Sequence, residues 1–419
     1  MRTWAVSGVG CGVLLLALVG CRKAPEPAIR TYSPPAEPFA PSANSGNAYD
    51  GYVLAGRAAA ALPTRITSAS NPVGRARQEL LSALGPMLSK VATSSKLPCK
   101  VKYVPTKPFS LSSEAQGWAL IGRALALQIQ SAVREKNYGL ALEHYSVAMR
   151  FGMDLTGSDV LVAGLGLTIV NNARAALASG LDGMGAGQLQ QVVATTKGAL
   201  DRRPAFELLL KNERESMNQS IDMVQAEVEQ IRKLKDDERE KRLEAFQARL
   251  GSTGREAMLP LTKVFDSPNE LRSIFDGMSR EADAQIELAA QRATKSTADR
   301  GEWPESESQG KPWGRLSNMF FGTFDGYQRL ETATLARCRL LAVYSSALAI
   351  VKAQRIAPAR LDECPEWART DPYSGKPFIY WASGNVFKVY SVGADLQDDG
   401  GKTDDSFSIP DVTLEVPGQ

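Results

Sequence analysis

Residues 113–151 read SEAQGWALIGRALALQIQSAVREKNYGLALEHYSVAMRF, and their pattern decides the fold. Trp118, Leu120, Ile121, Leu125, Ile129 and Val133 recur at helical spacing, which predicts an amphipathic helix. Ser112 or Ser113 stands where a hydroxyl can accept from the first free N–H groups. Glu135-Lys136-Asn137 supplies a turn, and Tyr138, Ala141, Leu142, Tyr145, Ala148 and Met149 mark the apolar face of a returning helix. A helical hairpin cannot bury its apolar faces alone, so the stretch predicts a mainly α, multi-helix body.

Working outward, helical periodicity extends in both directions. Towards the N-terminus it covers 48–62, ended by Pro63, and 74–91, with a proline-rich strip over 98–109. Towards the C-terminus it covers 159–179, 187–200, 205–250, 268–294 and 315–354. The 159–179 segment is rich in small residues, which lets neighbouring helices approach closely; Asn171, Asn172 and Arg174 interrupt its apolar run and point to a buried core helix. In 205–250 a seam of Met217, Ile221, Val224, Val228 and Ile231 predicts packing on another helix. The seam fails over 232–244, where eleven of thirteen residues are charged. Two readings fit that run: a solvated helix end or hairpin tip, and a partner-docking arm. Trp303 and Trp313 lie in a Gly/Pro/Ser-rich loop, either to contact a sugar or protein partner or to plug a groove of their own domain. The Tyr-x-x-Ala-Leu-x-x-Tyr-x-x-Ala run of 138–148 resembles the second half of a tetratricopeptide repeat, in a single copy.

The N-terminus reads as an export signal. Arg2 precedes an apolar run over 9–19, short for a bilayer span and of signal length. Leu18-Val19-Gly20-Cys21 resembles a bacterial lipobox, which implies cleavage after residue 20 and a lipid on Cys21; a plain secretory signal is the alternative. Arg22 follows the cysteine, and by resemblance to Gram-negative sorting this implies an outer-membrane protein facing the periplasm. No second long apolar run is expected. Residues 21–47 hold six prolines and read as an extended, disordered tether. The expected organisation is signal peptide 1–20, tether 21–47, helical body 48–314, and a long helix with a β-hairpin module over 315–419.

The 419 residues allow two or three compact units. A net charge of +3 gives no basic surface for nucleic acid, and the single His144 weighs against a His-based metal site or triad. In an oxidising compartment Cys99, Cys338 and Cys364 allow one disulfide, with Cys338–Cys364 the preferred pair; three reduced, buried cysteines are the other reading.

The β-type segment is at the C-terminus. Residues 378–381 and 386–392 are aromatic and β-branched around an Ala382-Ser383-Gly384-Asn385 turn, which predicts a hairpin. Asp371, Pro372, Gly375, Pro377, Tyr390, Ser391, Gly393 and Asp395 stand in the order found in the globular part of the type II secretion major pseudopilin. Residues 335–409 resemble that module. The lipobox departs from the family's assembly helix, so pilus-like assembly is not implied. The whole layout is similar to bacterial envelope lipoproteins of unassigned function. The resemblance implies a calcium loop, and the residues support one independently. Asp395, Asp398, Asp399, Asp404 and Asp405 crowd a glycine-containing loop, and hard oxygen ligands suit calcium. The spacing is not that of an EF-hand, and a solvated acidic turn fits equally.

No nucleophile elbow, H-E-x-x-H, P-loop or Cys–His pair is present. The expected function is therefore a non-enzymatic, membrane-anchored interaction or scaffold protein with an envelope protein partner. Two alternatives stand beside it: a calcium-stabilised accessory of envelope secretion or assembly, and an envelope hydrolase using paired carboxylates.

Overall fold

The computed structural model describes residues 40–42, 45–67, 72–102, 112–249, 256, 261–304, 310–321, 324–402 and 411–414. The signal segment with Cys21, most of the tether, and Asp404 and Asp405 lie outside the described residues. Among the described residues the chain is about 70% helical, with 13 α-helices and one two-stranded sheet. This is a mainly α, multi-helix fold with a C-terminal hairpin.

The helices are α1 (Ala48–Ala60), α2 (Thr64–Thr67), α3 (Gly74–Ser94), α4 (Ser113–Arg134), α5 (Tyr138–Leu155), α6 (Val160–Ala178), α7 (Ala186–Asp201), α8 (Phe206–Arg232), α9 (Asp236–Arg249), α10 (Pro268–Ala293), α11 (Thr297–Arg300), α12 (Gly314–Phe321) and α13 (Phe324–Gln354). Polar caps set several starts. Asn47 accepts from Tyr49 N at 3.3 Å, and also ties α1 to the 98–102 segment by donating to Lys100 O and accepting from Lys100 N. Ser112 accepts from Ala115 N, Asn137 from Leu140 N and Asp159 from Val162 N. Lys136 takes a positive φ of 56°, which lets α4 and α5 close as the expected antiparallel hairpin.

The first apolar core joins α1 and α3–α7. Trp118, Ile121, Leu125 and Ile129 of α4 are buried there, as their spacing predicts. The small residues act as expected: a Cβ on Gly117 would strike the Gly56 carbonyl, and one on Gly166 the Gly152 carbonyl, so the α1–α4 and α5–α6 backbones are in direct contact. The second core joins α8, α10, α12, the start of α13 and one face of α6, and the expected seam of Met217, Ile221, Val224, Val228 and Ile231 is buried in it. The third is smaller and holds the C-terminal module on α13. Helix α13 serves all three, through Phe324 and Tyr327 in the second, Cys338 and Leu341 in the first, and Leu340, Val343 and Ala347 in the third.

Two expectations are corrected. The 205–250 stretch is two helices, broken over 233–235. Arg232 ends one and Asp236, Asp237 and Glu238 open the next, so each charge complements the dipole of its own terminus. Over 315–354 the described residues form α12 and α13, and 322–323 between them lie outside the described residues. Finally, Val160–Ala178 and Phe324–Gln354 are both long and apolar enough to cross a membrane by length and composition, although 61% of each apolar window is buried within the protein. They are apolar because they are surrounded by other helices.

Candidate functional site

The C-terminal module carries most of the motifs singled out in the sequence. After α13 the chain turns through Arg355, at φ 63°, and makes two short 3-10 turns. Strands β1 (Ile379–Ser383) and β2 (Val386–Tyr390) then pair antiparallel, Ile379 opposite Tyr390 and Ser383 opposite Val386. Tyr380 and Phe387 face α13, where Phe387 meets Tyr344 at 5.0 Å between ring centroids. Trp381 and Val386 point away and are exposed.

Asp371 is the hub of this module. It is 1% exposed, and its carboxylate accepts from Tyr373 N at 2.9 Å, Ser391 Oγ at 2.9 Å, Val392 N at 3.3 Å and Ser374 Oγ at 3.4 Å. Burial raises its carboxyl above the ordinary value, and these donors pull part of the way back. The Asp-Pro-x-Ser-Gly turn and the Tyr-Ser-x-Gly segment are thus two halves of one staple. Its atoms are spent on holding the hairpin, not exposed to a substrate.

The acidic loop lies beyond. Asp395 Oδ1 accepts from Gln397 N at 3.1 Å; Asp398 Oδ1 accepts from Tyr390 Oη at 2.8 Å and Gly400 N at 3.0 Å. The sequence reading missed Asp411. It is 3% exposed, and its Oδ2 accepts from Asp399 N at 3.0 Å and Gly401 N at 2.6 Å. Its Oδ1 is buried without a hydrogen-bond partner. Burial and the nearby Asp398 and Asp399 raise its carboxyl. The 411–414 segment reaches this place by pairing with the end of β2, Ser391 N donating to Val412 O at 3.0 Å and Val412 N to Ser391 O at 2.9 Å. The β-type Val412-Thr413-Leu414 run after Asp411 is the signal that such a return strand leaves in the sequence. Among the described residues no group of three or more His, Cys, Asp or Glu side chains converges as a metal-ligand set. Among the described residues of this loop, the orphaned Asp411 oxygen beside Asp398 is an atom that a cation would satisfy.

The Cys338–Cys364 disulfide is not formed. Both are free, as is Cys99. Cys338 is buried in the first core and Cys364 in the third, because successive positions of α13 face different neighbours. Burial raises all three thiols, so none is a poised nucleophile. His144 is half-buried on α5, and burial lowers its pKa. Trp303 and Trp313 act on their own domain: Arg292 stacks 5.0 Å from the Trp303 centroid, and Trp313 covers Gly277.

Buried carboxylates elsewhere are also engaged. Asp154 accepts from Tyr52 Oη at 2.8 Å and pairs with Arg202 at 3.0 Å, while Arg202 also donates to Leu97 O at 2.9 Å. Glu331 pairs with Arg203 at 2.9 Å and accepts from Tyr327 Oη at 3.2 Å. Sequence spacing gives no sign of either ion pair, since the paired charges are 48 and 128 residues apart.

No protein-family model matches the chain, and neither a curated protein nor a solved structure is found to match it. Several of the motif residues singled out in the C-terminal stretch serve the Asp371 staple.

Proposed function

We propose that the chain is a non-enzymatic, lipid-anchored protein of the bacterial envelope whose helical body is an interaction scaffold. The observation that carries this reading is the α8–α9 hairpin. Arg242 of α9 pairs with the buried Glu227 of α8 at 2.6 Å, and Arg239 lies 3.5 Å from Asp266. The hairpin is therefore tied down while Asp236, Asp237, Glu238, Glu240, Lys241 and Glu244 stay exposed. A fixed, mixed-charge helical surface selects partners by charge complementarity. Cross-linking in intact envelopes tests it. Reversing Asp237, Glu240 and Lys241 together should remove a discrete cross-linked partner while the circular dichroism is kept; an unchanged cross-linking pattern refutes the scaffold reading. Lipid attachment is tested separately, by palmitate labelling that Cys21→Ser should abolish.

A second reading, a calcium-stabilised accessory of envelope secretion or assembly, is favoured by the orphaned Asp411 oxygen. Calcium would contact Asp411, with Asp398 beside it, and its charge would offset the crowded carboxylates and draw in Asp395 and Asp399 as the loop closes. Millimolar calcium should raise the melting temperature, and Asp395→Ala and Asp411→Asn should each suppress the rise. No calcium-dependent shift in the unmodified protein removes this reading.

A further inference from the structure

The connection between α5 and α6 meets α8 at a joint whose polar groups are out of balance. Glu213, two turns into α8, is 7% exposed and accepts from Val160 N at 2.8 Å, at the first residue of α6. Its neighbour Asn212 donates to Gly157 O at 2.7 Å. Gly157 has no space for a side chain, because a Cβ would meet Pro204 at 2.8 Å and Val101 at 3.2 Å. Asp159 caps the same helix start by accepting from Val162 N at 2.8 Å. Two carboxyl groups therefore share one helix N-terminus inside the protein.

The charged groups around the joint can be named element by element. Asp159 faces Glu213 from the α5–α6 connection. Tyr49 of α1 faces Asp159, and burial keeps its hydroxyl neutral. Lys102, on the 98–102 segment, is paired with Asp50 at 3.2 Å. The N–H groups of α6 favour one negative charge there, and the charge that faces Glu213 is that of Asp159.

We propose that this joint is a proton-operated latch: protonated Glu213 holds α8 on the start of α6, and ionised Glu213 lets α8 detach. The proposal stands on this geometry and does not need the scaffold reading. The sign follows from linkage. Burial, and then the facing Asp159, push the Glu213 carboxyl above its ordinary value of 4.5. The closed joint binds the proton more tightly than the open one. Opening is thus least favoured below 4.5, grows by about tenfold per pH unit up to the closed-state value, and is level above it.

Hydrogen exchange on the full mature chain, corrected for the intrinsic pH dependence of exchange, reads this directly. From pH 5 upward the opening constant of amides in 157–164 and 207–217 should rise by up to about tenfold per unit until the closed-state pKa is passed, while α4 amides stay level. Glu213→Gln should abolish the slope. Asp159→Asn keeps a capping side chain and removes the facing charge, so the rise should level off at a lower pH. A level profile in the unmodified protein overturns the latch. So does a Glu213→Gln protein that keeps the slope, and if that variant does not fold, an Asp159→Asn profile identical to the parent's does the same.

Discussion

The first core and the C-terminal module are held together by different physics. The core buries Trp118, Tyr52, Tyr145 and Phe151 together, and brings helix backbones into contact at glycines. Its stability is spread over many apolar groups, each contributing in proportion to the area removed from water. The module has two five-residue strands and contributes four buried apolar residues, Cys364, Ala368, Phe378 and Val389, to its cluster with α13. That is little area, and its order leans on specific polar contacts, chief among them the four hydrogen bonds accepted by Asp371. One region has many small supports and the other has a few specific ones.

Substitutions can break this contrast, starting with the largest expected effect. Trp118→Ala should cost about 3–5 kcal/mol in denaturant unfolding, since the ring is 2% exposed and its Nε1 donates to Tyr52 O at 2.7 Å. Asp371→Ala should cost about 1–3 kcal/mol by leaving buried donors unpaired. Its loss should be local: exchange protection over 379–392 falls while that of α4 and α6 persists. Loss of protection in both regions would show that α13 couples them into one cooperative unit.

Acid titration sharpens the same contrast. The folded Asp371 carboxyl titrates above its ordinary value of 3.8. Its contribution is therefore greatest below that value and declines as pH rises through the folded pKa. Asp371→Asn should flatten this part of the module's pH profile, measured by near-ultraviolet circular dichroism of its aromatic residues. Smallest of all, Trp381→Ala should shift unfolding by less than about 0.5 kcal/mol, because 56% of the residue is exposed.

The helices that periodicity revealed are those whose burial is one-sided. The α8 seam could be read because polar residues fill its other face. Helix α13 was harder to read: it touches three clusters, so burial surrounds it and no single stripe stands out. The break between α8 and α9 carries neither Gly nor Pro. Its only sign is a change from basic to acidic residues, which a charge count over 232–244 averages away. For the candidate site, the turn, the hairpin and the acidic run could be read from local residue types. That Asp371 accepts from Ser391, and that Asp411 returns to the acidic loop, could not.

By itself the sequence determined the mainly α class, the α4–α5 hairpin, the seam of α8 and the position of the β-hairpin. These depend on contacts between residues near in the chain, which leave a periodic or turn-type signature. Only the tertiary structure decided that Cys338 and Cys364 lie in different cores, that Asp371 is a staple, and that Glu213 shares the start of α6 with Asp159. Each of these is a meeting of distant residues, and its free energy comes from burial and partners that no local pattern records.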